Sequence, residues 1–265
     1  VGADIITAGA GEDTITGGAG NDTITMAANL TAADTIDGGE GSDTLNVTSV
    51  SAATLTGVTN VETLAVTGAS TVSLTTDLAF TTIDLSDASA QNLTFATGYT
   101  AATTVNLGAA PGSDTIVNTA KIALTIDSTD AGGMTSSVTI TGSTATETLI
   151  VTADAADAID FTNITLVDKL TIRDGSTSGD DVTVTLGAYA TALTIDASAL
   201  NGTDEVLTVS GDTATKALNV TAGNGADQIT GGAGNDTITL GSGNDTYNEL
   251  DGNDNVTGGA GNDTF

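Results

Sequence analysis

The chain has 265 residues, 34 of them acidic and 4 basic, with no histidine, no cysteine and a formal net charge of −30. Four bases cannot build a phosphate-binding face, which excludes nucleic-acid binding. The usual ligands of zinc, haem and thiol chemistry are missing, and disulfides cannot form. No apolar stretch approaches the length of a membrane-spanning helix, and no signal-peptide pattern opens the chain. Glycine numbers 33 and threonine 54, and the acids cluster in Gly/Asn-rich segments at the two ends, which points to a repeat protein.

Residues 1–46 repeat with a period of nine. Residues 2–7 read GADIIT, 8–16 AGAGEDTIT and 17–25 GGAGNDTIT. A longer degenerate unit, 26–37, keeps only the ending Asp34-Thr35-Ile36-Asp37, and 38–46 read GGEGSDTLN. Six residues of each unit suit a turn and three a short strand. Glycine supplies the turn geometry that other residues resist. Ile15, Ile24, Ile36 and Leu45 are expected to point inward and the flanking threonines outward.

Residues 47–221 lose the nonapeptide but keep short, alternating, β-branched segments bounded by Gly, Asn, Asp or Ser, which is a strand signature. Leu45, Leu64, Ile83, Val105 and Leu124 recur at about one coil length, and Leu149, Leu170, Leu193 and Leu218 continue the series. A second series, Leu74, Leu93, Ile116 and Val138, interleaves with it. Two strand rows at one coil period predict a parallel β-solenoid with irregular turns. Half-motifs remain at Gly112-Ser113-Asp114, Gly179-Asp180-Asp181 and Asn201-Gly202-Thr203-Asp204. They suit calcium, but turn-forming aspartate explains them more simply. Lys121, Lys169, Lys216 and Arg173 are scattered, and Arg173 is expected in a surface or inter-coil salt bridge.

Residues 222–265 return to the period of nine: AGNGADQIT, GGAGNDTIT, LGSGNDTYN, ELDGNDNVT and GGAGNDTF. Ile229, Ile238, Tyr247 and Val256 are expected inward. Two units make one coil, so each turn stacks on the turn one coil away, ~4.8 Å along the axis. Asp227 then meets Asp245, Asp245 meets Asp263, and Asp236 meets Asp254. In the first block Asp4 meets Asp22, Asp22 meets Asp43, and Asp13 meets Asp34. Two carboxylates ~5 Å apart repel by roughly 3 kcal/mol at an effective dielectric of 20. A hard cation between them reverses the sign, and carboxylates with backbone carbonyls at a tight turn suit Ca²⁺ better than Mg²⁺.

The pattern G-G-x-G-x-D-x-U-x, with U large and apolar, resembles the RTX nonapeptide repeat, the calcium-binding parallel β-roll of proteins exported by type I secretion. The resemblance implies calcium ligands at Asp4, Gly9, Gly11, Asp13, Gly18, Gly20, Asp22, Asp34, Gly39, Gly41 and Asp43. In the last block it implies Gly223, Gly225, Asp227, Gly232, Gly234, Asp236, Gly241, Gly243, Asp245, Asp251, Gly252, Asp254, Gly259, Gly261 and Asp263. The glycine loops would contribute carbonyl oxygens, and about six or more ions are implied. Ala8, Ala222 and Leu240 replace the first glycine of their units, and Glu249-Leu250 replace both leading glycines. Those departures and the degenerate unit 26–37 weaken the case for calcium at their turns.

The fold class expected is all-β: a right-handed parallel β-solenoid or β-roll. Calcium-binding turns occupy 1–46 and 222–265, and an irregular β-helix spacer occupies 47–221, as one continuous rod. Both ends stop in mid-pattern, so the chain reads as a piece of a longer protein whose secretion signal and anchor lie outside it. No histidine and no G-x-S-x-G motif are present, and paired aspartates are better explained by calcium than by glycoside chemistry, so no catalysis is expected. The runs 57–67 and 193–211 resemble the spacers of RTX-type bacterial surface-layer proteins. That resemblance implies an extracellular, self-assembling lattice or filament, with outer-membrane polysaccharide as a partner of regions outside this chain, and no membrane insertion. An RTX adhesin or biofilm matrix protein, or the RTX region of a secreted enzyme, stays open beside it. Ice binding through Thr-x-Thr pairs (Thr14/Thr16, Thr23/Thr25, Thr139/Thr141, Thr183/Thr185, Thr237/Thr239) would need a flat ladder on one face.

Overall fold

The computed structural model describes residues 2–48, 50, 55–75, 78, 80–87, 90–108, 113–129, 134, 138–153, 156–175, 179–189, 191–211 and 214–265. They form two compact units, Val1–Thr125 and Ile126–Phe265. Each is a parallel β-solenoid built from short strands of alternating burial. Alternation follows from the period of two along a strand: one face meets the core and the other meets water.

In the first unit the main row is Ile5–Thr7, Thr23–Ala27, Thr44–Val47, Thr63–Val66, Thr82–Asp84 and Thr103–Gly108, each parallel to the next. Ile24, Leu45, Leu64, Ile83 and Val105 stack in register, as their spacing predicts. The opposing strands form two sheets rather than the single second row expected. Thr14–Ala19, Thr35–Glu40 and Val58–Thr59 make one, and Thr71–Leu74, Asn92–Phe95 and Thr115–Asn118 the other. The first set precedes its main-row strand closely and the second set follows it, so the coil changes shape where the nonapeptides end.

In the second unit the main row is Glu147–Ala153, Lys169–Asp174, Leu193–Asp196, Leu218–Thr221, Thr237–Ser242 and Asn255–Ala260. Asp157–Asp160, Val182–Thr185, Leu207–Ser210, Gln228–Thr230 and Thr246–Asn248 face it. Thr139–Thr141 pairs with Ile164–Thr165, and a 3₁₀ turn at Phe161–Asn163 is capped by the Asp160 side chain.

Two register expectations are corrected. Leu170 lies opposite Ile195, not Leu193, and Leu93 lies opposite Val72, not Leu74. Each strand carries inward residues in i, i+2 pairs, so a slip of two keeps every apolar side chain in the core, and hydrophobicity cannot distinguish the registers.

The inward residues of the repeats are buried, from Ile15 to Tyr247. Val256 differs: it is only part-buried, because its strand has a neighbour on one side. Arg173 reaches across to Asp127 at 2.9 Å and Lys169 to Asp196 at 3.1 Å, both at the surface as expected of scattered bases in an acidic chain.

Candidate metal centre

The aspartates of the repeats stack in columns, one coil above the next. In the first unit the Asp4 amide donates to Asp22 Oδ1 at 2.8 Å, Asp22 to Asp43 at 2.7 Å and Asp13 to Asp34 at 2.8 Å. In the second, Asp227 donates to Asp245 at 2.9 Å, Asp245 to Asp263 at 3.2 Å and Asp236 to Asp254 at 2.8 Å. All six expected pairs are brought together. Each carboxylate is tied by one oxygen to the amide of the preceding coil. Asparagines run the same device in the opposite direction: the amides of Ser42, Asn253 and Asn262 donate to Asn21, Asn235 and Asn244.

The second oxygen is different. Oδ2 of Asp13, Asp22, Asp43, Asp227 and Asp245 is buried without a hydrogen-bond partner. A buried anionic oxygen left this way is costly. It lies against the turn of its own repeat: a Cβ added at Gly17 or Gly38 would meet the orphaned Oδ2 of Asp22 or Asp43, and Gly231 and Gly258 stand the same way to Oδ2 of Asp236 and Asp263. These first-position glycines leave the space beside the oxygen clear. Ala222 and Leu240 stand in that position before Asp227 and Asp245, and the carboxylates keep the same column and the same orphaned oxygen.

Gly20, Gly41, Gly225, Gly243, Gly252 and Gly261 stack on the carbonyl of the residue one coil below, and Gly39, Gly241 and Gly259 do so on the neighbouring position. Gly223 packs on Leu200 O, and Gly232 and Gly234 on the 214–217 segment. Gly9, Gly11 and Gly18 have open space around them, and exposed Asp251 bonds only the next amide, Gly252.

Burial pushes the Asp227 carboxyl up to about 7, and raises Asp236 and Asp245 above the ordinary carboxylate range. The facing carboxylates Asp245, Asp254 and Asp263 add to it. Asp34 is lowered instead, by the amides of Asp13 and Thr31. Its Oδ2 accepts the Thr31 amide at 2.7 Å, so this turn of the degenerate unit satisfies its own carboxylate.

The column Asp236/Asp254 is also satisfied internally. Asp236 Oδ2 accepts the Gly232 amide at 3.0 Å, and Asp254 Oδ2 accepts the Tyr247 hydroxyl at 2.6 Å. The demand for a cation is therefore greatest at Asp227/Asp245 and Asp22/Asp43. Tyr247→Phe is expected to lower stability in calcium by about 1.5–3 kcal/mol, the worth of a hydrogen bond to a charged acceptor. Urea unfolding checks it, and an unchanged midpoint would remove the tyrosine from the site.

These residues fit calcium, which takes several hard oxygen donors. The orphaned Asp oxygens are the anionic donors this chain offers, beside turns whose backbone is open for want of side chains.

The family profile of the RTX calcium-binding nonapeptide repeat matches in four copies, over residues 1–25, 31–47, 219–247 and 250–265. The two end blocks are RTX calcium-binding repeats. Repeats of this family bind calcium and are typical of secreted proteins. No curated protein and no solved structure matches the chain. No helix among the described residues is long and apolar enough to cross a membrane.

The column bond of the RTX blocks recurs outside the repeats, which the nonapeptide pattern misses. The Asp43 amide donates to Glu62 at 2.8 Å, and the Glu147 amide to Asp168 at 2.9 Å. Leu207 and Leu218 amides feed Asp227 and Asp236 at 2.7 and 2.9 Å. The signal was the triplet acid–Thr–apolar, shared by Asp43-Thr44-Leu45, Glu62-Thr63-Leu64 and Glu147-Thr148-Leu149. Of the half-motifs, Gly112 lies outside the described residues. Asp180 meets Asp174 and Glu205, their carboxylate oxygens within 4.8 Å. Glu205, not exposed Asp204, turns inward there, its Oε2 accepting the Gly202 amide at 2.7 Å.

Proposed function

We propose that the chain is a non-catalytic, calcium-dependent structural protein of the bacterial cell surface, exported by type I secretion and self-assembling as a surface-layer subunit. The carrying observation is how its acids are used. In the repeat blocks they stand in coil-to-coil columns with orphaned oxygens at the turns. Calcium then serves folding inside the chain, and a net charge of −30 leaves acidic faces for calcium to bridge between copies.

The threonines do not favour ice binding. Thr14/Thr16 and Thr23/Thr25 lie in different sheets. On the main row Thr23, Thr44, Thr63, Thr82 and Thr104 align, but their companions two residues on are Thr25, Asn46, Ala65, Asp84 and Asn106. Electron microscopy of the purified chain across a calcium titration tests the proposal. Ordered sheets or filaments that appear only with calcium are expected. Calcium-dependent folding into monomers would overturn the lattice reading and favour an adhesin or the RTX region of a secreted enzyme.

A further inference from the structure

Within the first unit, outside the segments that match the repeat family, a second kind of oxygen cluster is built into the coils. Asp114 and Gln91 are 0% and 1% exposed. The Gln91 amide donates to Asp114 Oδ1 at 2.9 Å, repeating the column bond of the RTX turns. The Gln91 side-chain amide donates to Asp87 Oδ1 at 2.6 Å and to Val66 O at 3.1 Å. Both of its hydrogens are thereby used, which fixes which end of the amide is nitrogen. Its Oε1 is buried with no partner, and so is Asp114 Oδ2. Both are acceptors, so neither satisfies the other without a third party.

Two carboxylates and an amide oxygen, two of the three deeply buried, require positive charge. Lys169 and Arg173 pair with Asp196 and Asp127 in the other unit, and among the described residues exposed Lys121, the base of this unit, makes no ion pair with Asp114. We propose that Asp87, Gln91 and Asp114 bind a divalent cation of the calcium type. Carboxylate and side-chain amide oxygens are the donors such an ion takes. The segment Ser113-Asp114-Thr115-Ile116 repeats Ser42-Asp43-Thr44-Leu45, so the coil keeps the acidic end of a nonapeptide and replaces its glycine loop with a glutamine donor. Burial, with Asp87 adding its charge, pushes Asp114 up to about 6.

The site lies apart from the repeat turns, and the lattice reading can fail without it. The test uses the whole chain with calcium alone as the probe. Asp114→Asn keeps the Oδ1 acceptor and removes the charge. Equilibrium dialysis at saturating calcium is expected to find one ion fewer per chain. The variant is also expected to melt higher than the parent in chelator, where the buried charge is unpaired, and to gain less on adding calcium. An unchanged ion count, or a calcium gain equal to the parent's, overturns the site. If Asp114→Asn does not fold, Asp87→Asn at the half-buried donor carries the same test. One ion lost or bound at least tenfold more weakly supports the site, and unchanged binding overturns it.

Discussion

Chelating calcium is expected to melt residues 1–46 and 222–265 while the apolar coils between them stay folded. The difference lies in what each coil buries. Residues 64–80 bury Leu64, Val66, Val72, Leu74, Leu78 and Phe80, whereas residues 228–245 bury Ile229, Ile238 and Leu240. Apolar burial is the main force offsetting chain entropy, so a coil with half of it needs another source. The repeat blocks have instead columns of like charge, Asp4–Asp22–Asp43 and Asp227–Asp245–Asp263. Without a cation these columns oppose stacking, and with one they drive it, because an ion bound only by the folded form stabilises that form. Hydrogen exchange gives the answer strand by strand. Amides of Thr23–Ala27, Thr44–Val47, Gln228–Thr230 and Thr246–Asn248 should lose protection in chelator, and those of Leu93, Leu149 and Leu170 should keep it. Magnesium at the same concentration should not restore the lost protection, since it demands a stricter octahedron and holds its water. Protection that survives chelation at Ile229 and Tyr247 would show that capped turns suffice to fold the blocks.

The sequence made the repeat blocks legible because their spacing is rigid. A unit of nine, two to a coil, leaves one register, so the Asp pairs 18 apart follow from counting, and Asp13–Asp34 and Asp22–Asp43, 21 apart, follow once the longer unit 26–37 is counted as one. The spacer was legible only in outline. Leu45–Leu64–Ile83–Val105 could be aligned because each strand has a similar length and the coils differ little. Leu170–Ile195 could not, since Leu193 and Ile195 both face inward and the turn between coils has changed length. Turn length is set by irregular loops, which carry no period. The same blindness hid Glu62, Glu147 and Gln91. Each reaches its place in a column through a register that the structure reveals: Glu62 and Glu147 share only the short acid–Thr–apolar triplet with the repeats, and Gln91 lacks even that. Its place in the repeat makes Tyr247 a core residue, and it is buried. That its hydroxyl crosses the coil to Asp254 is a matter of side-chain length, visible only once the coil width is fixed.

Gly41→Ala should disrupt the first block far more than Gly9→Ala, although both replace a glycine of the same loop type. Gly41 has φ +148°, where L residues are strained by about 1–3 kcal/mol. Its new Cβ would land on the carbonyl oxygen of Gly20 one coil below, and backbone cannot swing aside as a flexible side chain can. The neighbouring bonds, Ser42 amide to Asn21 and Asp43 amide to Glu62, would lengthen with it. A loss above about 3 kcal/mol is expected, in line with strain and overpacking together. Gly9 has open space around it and no positive φ, so Gly9→Ala should stay within about 0.5 kcal/mol of the parent. Thermal unfolding in saturating calcium, read with hydrogen exchange at Thr23–Ala27 and Thr44–Val47, separates the two. Equal melting of the variants would mean that glycine contact does not set the distance between successive turns, and that the bound cation holds them apart instead.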